Sequence, residues 1–278
     1  MSDGPARAMR TARRSVRFWD GRSPDYDVSI LMTAYNAEET IEEAVRSIYA
    51  QEVEANLRAQ LIIGVDPCPD ATLAIAEALA EGAPPWLRVE VLLNPLPNLE
   101  IDGRRTARSN FMHAYAHVRG GAVAFLNCDD RWETRTKLQA QLDEVRSTGK
   151  ACATSLDTEA HGLRKLNEVP EVQDPFTHGT TVLFSSFMMP YWSFGRRGYW
   201  WKVGFLDLPV ICYCYERFGI TRLTDEVTFY RYGGGGAWSR LTPEEKSVWI
   251  RRTGRRMALS GPYRLRNRRA IDEWASRQ

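Results

Sequence analysis

The chain has no apolar run long enough to cross a bilayer, and the arginines near its start are followed by no apolar segment of the kind that makes a signal peptide. It has no Cys-x-x-Cys pair. Its five cysteines, Cys68, Cys128, Cys152, Cys212 and Cys214, are odd in number and scattered, which argues against zinc and against a disulfide framework and fits a reducing cytoplasm. Histidine is scarce, and His113, His117, His161 and His178 show no metal spacing; His113 and His117 lie one helical turn apart without a third ligand in view. No strong charge excess is present either. A formal net charge of +2 predicts neither a polyanion binder nor an acidic tail, and no nucleic-acid partner is expected.

What is present is 44% hydrophobic content in 278 residues, enough to bury a large core. Val28–Ala34, Leu61–Val65, Arg88–Leu93 and Ala122–Leu126 are apolar runs of strand length. Between them lie helical patterns. Asn36, with Glu39 as capping-box partner, precedes a helix whose inner face is Ile41, Ala44, Val45, Ile48 and Tyr49. Asp70 can cap a second helix with Leu73, Ala74 and Ala78 inward, and Ala107, Phe111, Ala114, Tyr115 and Val118 mark a third. Alternating strands and helices with near-continuous apolar strands define an α/β fold with a mostly parallel sheet covered on both faces.

Right-handed crossovers bring the carboxyl ends of such strands to one edge, where open sheets bind ligands. Three polar clusters meet there: Thr33 to Asn36, Asp66, and Asn127 to Asp130. In isolation, the adjacent carboxylates Asp129 and Asp130 would more often be a solvated turn with a helix cap. At the edge of a nucleotide crevice they instead call for a hard cation, Mn2+ or Mg2+, which usually also holds phosphate.

Val28 to Gln51, Asp66, Arg108 and Leu126-Asn-Cys-Asp-Asp-Arg-Trp132 together resemble a family 2 glycosyltransferase of the GT-A, Rossmann-like fold, and Leu223 to Tyr232 is similar to its late strand segment. The resemblance implies an inverting, metal-dependent transfer of a hexosyl-type sugar from a nucleoside diphosphate, UDP or dTDP favoured, to a hydroxyl acceptor. That acceptor would be a polysaccharide, a lipid-linked glycan or a small natural product. Thr33, Ala34 and Tyr35 would line the nucleoside pocket. Asp66 would accept the N3–H of the base, and Arg108 would pair with phosphate or with the acidic cluster unless it is only a surface helix arginine. Asp129 would contact the donor ribose or sugar, and Asp130 would hold the metal. Asn127 stands where many members carry a further aspartate, which keeps an oxygen ligand but weakens the metal site. Asp207 is the expected base, with Glu216 the alternative inside a helix Val210–Phe218. Two rivals are a sugar-phosphate nucleotidyltransferase and a catalytically weak or inactive relative that binds nucleotide or glycan or scaffolds a partner. The first needs a glycine-rich loop after the first strand, and Thr33-Ala-Tyr-Asn36 has no glycine.

The resemblance divides the chain into a basic N-terminal extension over 1–26, a GT-A domain over 27–239 and a basic helical tail over 240–278. Within the domain, 27–132 is the nucleotide-sugar half and 133–239 the acceptor half. Gly233 to Gly236 is either a closing loop anchored by Trp238 or a flexible linker. Aromatics from Phe184 to Trp201 are either an acceptor platform or core, and Arg196 and Arg197 could meet an anionic acceptor. Arginines crowd both ends, Arg7 to Arg17 and Arg251 to Arg269, and point to peripheral contact with the inner face of a membrane, or else to solvated tails.

Overall fold

The computed structural model describes residues 23–96, 100–101, 104–157, 172–178, 182–191, 207–231 and 241–278. Outside these lie the N-terminal arginines, His161, the aromatics from Trp192 to Trp201 with Arg196 and Arg197, the Gly233–Gly236 stretch and Trp238.

The strands are β1 (Tyr26–Ala34), β2 (Ala59–Val65), β3 (Leu87–Leu93), β4 (Glu100–Ile101), β5 (Arg104–Arg105), β6 (Gly120–Phe125), β7 (Arg131–Trp132), β8 (Ala151–Asp157), β9 (Phe187–Pro190) and β10 (Ile220–Phe229). The helices are α1 (Ile41–Tyr49), α2 (Thr72–Glu81), α3 (Arg108–Tyr115), α4 (Lys137–Thr148), the single turn α5 (Pro175–His178), α6 (Asp207–Phe218), α7 (Pro243–Ser260) and α8 (Leu265–Ser276).

Eight strands form one sheet in the order β3-β2-β1-β6-β9-β8-β10-β7, and β4 pairs with β5 separately. The half predicted from the apolar runs is parallel throughout, β3-β2-β1-β6. The second half is mixed. β9 inserts antiparallel between β6 and β8, β8 runs parallel to β10, and β7 closes the edge antiparallel to β10. The sheet is therefore less uniformly parallel than expected, because β9 does not come from a strand–helix–strand crossover.

Local packing explains where the predicted helices shift. The inner face of α1 is Ile41, Ala44, Val45 and Ile48, as the spacing requires, with Tyr49 half-buried and its hydroxyl on the Leu79 carbonyl (2.7 Å). Asn36 does not cap it. Asn36 takes a left-handed conformation (φ 49°), which turns the chain out of β1, and α1 starts five residues later behind Thr40. Helix α2 buries Thr72, Ala76 and Leu79 rather than the expected Ala74 and Ala78, which are exposed. Its rotation is set by Thr72, whose Oγ1 accepts from the Ala37 amide (2.8 Å) and donates to Asp70 (2.7 Å). Gly64 lets α3 sit directly on β2: a Cβ there would fall 2.2 Å from Asn110 Oδ1, and the Asn110 amide donates to the Gly64 carbonyl (2.9 Å).

Phe187, Met188 and Met189 of β9 are fully buried, and Phe184 stacks on Phe125 (centroids 4.6 Å apart). The described part of the aromatic stretch is thus core. Helices α7 and α8 pack on α5 and α6 through Phe176, Leu208, Cys212, Met257, Tyr263 and Trp274. Gly254 allows the close approach of the two helices, since a Cβ there would meet that of Ala275 at 2.3 Å.

Lys137, at the start of α4, is fully buried, with Nζ donating to Gln141 (2.6 Å) and lying 4.0 Å over the Trp132 ring. Burial pushes its ammonium down to about 7, against weaker opposing effects of Cys152 and Glu226. An unfolded lysine titrates near 10.4. Between about pH 7 and 10 the unfolded chain therefore holds a proton that the folded chain has released, so stability rises with pH in that window. Relative to Lys137→Met, the wild-type chain should gain stability between pH 7 and 9.5 in denaturant titrations, and parallel curves would contradict this.

Candidate active site

The site forms where β1, β2, β3 and β6 end. The Asp66 amide donates to the Ala34 carbonyl (2.9 Å), which joins the ends of β1 and β2. Thr33 is half-buried, Ala34 buried, and Tyr35 40% exposed at the rim. The Asp66 carboxylate is buried and accepts from Asn94 Nδ2 (2.8 Å), which also reaches Ser109 Oγ (3.2 Å). Asn94 follows β3 just as Asp66 follows β2, so a fourth polar strand end was present in the sequence and missed. Ser109 was also missed, since nothing in a helix pattern distinguishes it. Asn94 bonds Asp66 from the end of the neighbouring strand, and Ser109 meets Asn94.

Arg108 is not a surface arginine. As the first residue of α3 it is 2% exposed, next to Ser109. Burial, and then the nearby charge of Arg256 on α7, pull its guanidinium down to about 10. The chain thus brings an arginine from its C-terminal helices toward one predicted for the phosphates.

The acidic pair lies in the turn after β6. Asp130 is 2% exposed, while Asp129 is half-buried. Both carboxyls are raised above the usual range. For Asp130 the causes are burial and then the charge of Asp129; for Asp129, burial dominates and Arg231 opposes it. Three groups hold Asp130. Oδ1 accepts from the Arg231 amide (3.0 Å), and Oδ2 accepts from Asn127 Nδ2 (3.2 Å) and from the Ser185 hydroxyl. Ser185 Oγ in turn accepts the Asn127 amide (3.1 Å), and the Ser185 carbonyl receives Trp132 Nε1 (2.9 Å).

Asn127 therefore donates to Asp130 through Nδ2. An aspartate in its place would add a third charge without a proton to give. Ser185 lies 55 residues away in sequence, so no local motif could have revealed it.

Arg231 closes the cluster. Its Nε donates to the Asp129 carbonyl (3.0 Å), and its guanidinium pairs with Glu43 of α1. Glu43 also pairs with Arg131 (3.0 Å), whose guanidinium stacks 3.7 Å over Phe229.

Asp207 is the first residue of α6, half-buried, with Oδ1 accepting the Leu208 amide (2.9 Å) and its carboxyl raised by burial. Glu216 is the alternative base. It accepts the Arg264 amide (3.1 Å) and the Asn267 side chain at the start of α8, so it is tied up in capping that helix. It lines a polar pocket of about 440 Å³ with Asp174, Tyr215 and Arg266.

Among the described residues no group of three or more His, Cys, Asp or Glu side chains is arranged to hold a metal. The donor set nevertheless fits Mn2+ or Mg2+. The buried Asp130 and half-buried Asp129 carboxylates repel each other, and Oδ1 of Asp130 accepts one protein donor, leaving a second lone pair. Cations of this type take one or two carboxylates and fill the remaining positions with phosphate and water.

A sheet of this order, with polar residues at the ends of β1 and β2 and an acidic pair after β6, is that of a GT-A-type glycosyltransferase. The model of "Glycosyl transferase family 2" matches residues 29–168, half of the chain, and the chain belongs to that family. No curated protein sequence matches it. Among solved structures it is similar to S. aureus TarS 1-349 in complex with UDP-GlcNAc, at 14% identity and a TM-score of 0.61, covering 90% of this chain and 72% of that one. It is also similar to the mannosyltransferase PcManGT of Pyrobaculum calidifontis in complex with GDP-Man and Mn2+, at 15% identity and a TM-score of 0.54, covering 96% and 74%. At these identities the likeness is one of fold.

Outer partners that orient a metal ligand typically set affinity by about 10- to 100-fold. Ser185→Ala should weaken Mn2+ binding by about tenfold in calorimetry without donor sugar, and Ser185→Thr should restore it. Because protonation of the raised Asp130 carboxyl competes with the cation, Mn2+ affinity should fall as pH is lowered. Unchanged affinity in Ser185→Ala would remove the clamp from the metal site.

Proposed function

We propose that this glycosyltransferase is a metal-dependent, inverting enzyme that uses a uridine or thymidine diphosphate sugar and works in the cytoplasm, at or near the inner face of a membrane. The observation that carries the reading is the acidic pair, buried Asp130 beside half-buried Asp129, on the same sheet edge as Asp66. The complexes of the structural neighbours with UDP-GlcNAc and with GDP-Man and Mn2+ support it.

In this reading Asp66, held by Asn94, accepts the N3–H of the base, a task suited to a group that only accepts. Thr33, Ala34 and Tyr35 flank the nucleoside, Asp129 meets the donor ribose or sugar, and Arg108 faces the phosphates. A divalent cation on Asp130 would neutralise charge building on the departing diphosphate. Asp207 takes the proton of the acceptor hydroxyl, whose oxygen attacks the anomeric carbon opposite the leaving group. The carbon–oxygen bond to the diphosphate breaks, its electron pair leaves with the nucleotide, and the anomeric centre inverts. Burial keeps the Asp207 carboxyl basic enough to accept that proton. The acceptor is a growing polysaccharide, a lipid-linked glycan or a small hydroxylated molecule.

Two measurements test this. In thermal-shift titrations with Mn2+, UDP and dTDP should stabilise the chain more than GDP, and Asn94→Ala should cost about tenfold in UDP affinity, the worth of one oriented hydrogen bond. Equal shifts for all three nucleotides would contradict the role of Asp66. Transfer or donor hydrolysis should require Mn2+ or Mg2+ and fall by at least about a hundredfold in Asp130→Ala. Undiminished turnover in that variant would overturn the metal assignment.

A further inference from the structure

Between Glu245 and Asp272 the chain carries eight arginines and one lysine and no acidic residue. The fold turns this stretch into a helical hairpin. Helices α7 and α8 meet at Gly254 and Ala275, and Arg268 of α8 donates to the carbonyls of Ala258 and Leu259, closing the end of α7. The inner face is packed: Trp249, Thr253, Met257, Ile271 and Trp274 are buried. On the outer face of α7, Arg251, Arg255 and Leu259 follow at intervals of four residues along one exposed line. On α8 the exposed residues nearest the turn are Leu265, Arg266 and Arg269, with Asp272 and Glu273 exposed further along.

The two leucines flank the turn of the hairpin and are 77% and 64% exposed. They are the two most exposed large apolar side chains described in the molecule. Single exposed leucines are ordinary. Two at one turn, beside arginines of both helices and with Glu216 held against the Arg264 amide, match a surface that sits in the headgroup region of an anionic bilayer. There cations meet lipid phosphates and leucines enter the acyl boundary. A soluble polyanion would use the arginines but has nothing to offer the leucines.

The hairpin is fixed to the catalytic body. Tyr263, in the turn between the leucines, is buried and its hydroxyl donates to the Pro209 carbonyl (2.9 Å), in the first turn of the helix headed by Asp207.

We infer that the tip of the α7–α8 hairpin docks on an anionic lipid surface and so holds the Asp207 helix against the membrane, where a lipid-linked acceptor would be presented. The docking stands on the hairpin alone; only its link to the acceptor rests on the proposed function. The test is co-sedimentation of the full chain, without donor or metal, on phosphatidylcholine vesicles with and without about one-third phosphatidylglycerol. Binding should require the anionic lipid and weaken with salt. Leu259→Ser with Leu265→Ser, and separately Arg251→Gln with Arg255→Gln, should each reduce it by about tenfold. All four side chains are exposed, so the variants should melt as the wild type does and shift equally with UDP and Mn2+. That control separates loss of docking from failure of the nucleotide site. Equal binding to neutral vesicles, or unchanged binding in both double variants, would overturn the inference. So would a dimer in light scattering that the leucine substitutions dissociate, or tight binding to heparin that displaces the vesicles and ignores the leucines.

Discussion

A carboxylate that is almost wholly removed from water beside a second carboxylate must be compensated, and the site is organised around that requirement. Asp130 recruits the Arg231 amide from the end of β10, the Asn127 side chain from its own turn and the Ser185 hydroxyl from the segment before β9. The Arg231 and Ser185 contacts join the parallel half of the sheet to the mixed half. Asp129 brings Arg231 over the turn, and Arg231 brings Glu43 and with it α1. Burial supplies the tension, because low polarity both raises the cost of the charges and strengthens each hydrogen bond that answers them. In the proposed function, a cation bound with a diphosphate would answer the same cost.

The Asp66 end of the sheet edge repeats the logic at lower stakes. Asp66 is buried against Asn94, which also bonds Ser109 at the start of α3. Here the reading from sequence was half complete. Asp66 stood out because an acidic residue ended an apolar run. Asn94 ended the next run in the same way, yet an amide raises no charge question and passed unnoticed. The two halves of the chain differ in legibility for a related reason. Consecutive crossovers in β1 to β6 write their period into the sequence, whereas β9 enters between β6 and β8 from a distant segment with an apolar pattern that a core helix or strand would share.

Errors of detail followed the same line. Asn36 has the residue type of a helix cap, but leaving β1 toward the site needed a left-handed residue, which asparagine also supplies. The inward face of α2 was decided by the bonds of Thr72 to Asp70 and Ala37, and not by the spacing of its alanines. Glu216 carried the right chemistry for a base and was spent on capping α8. The C-terminal arginines, read as a solvated tail or a membrane contact, belong to a hairpin that shares a core with α6 and turns only one face outward.

By itself the sequence determined the alternation of strands and helices, the edge at which their polar ends converge, and the acidic pair that marks the chemistry. These are local: a buried strand must be apolar along its length, and a carboxylate at its end is visible one residue later. Tertiary structure alone decided which groups steady those carboxylates, that Arg108 is buried within electrostatic reach of Arg256, and that Glu216 is bonded to the start of α8. Such partners come from segments tens of residues apart, and a side chain's role is fixed by what burial brings against it.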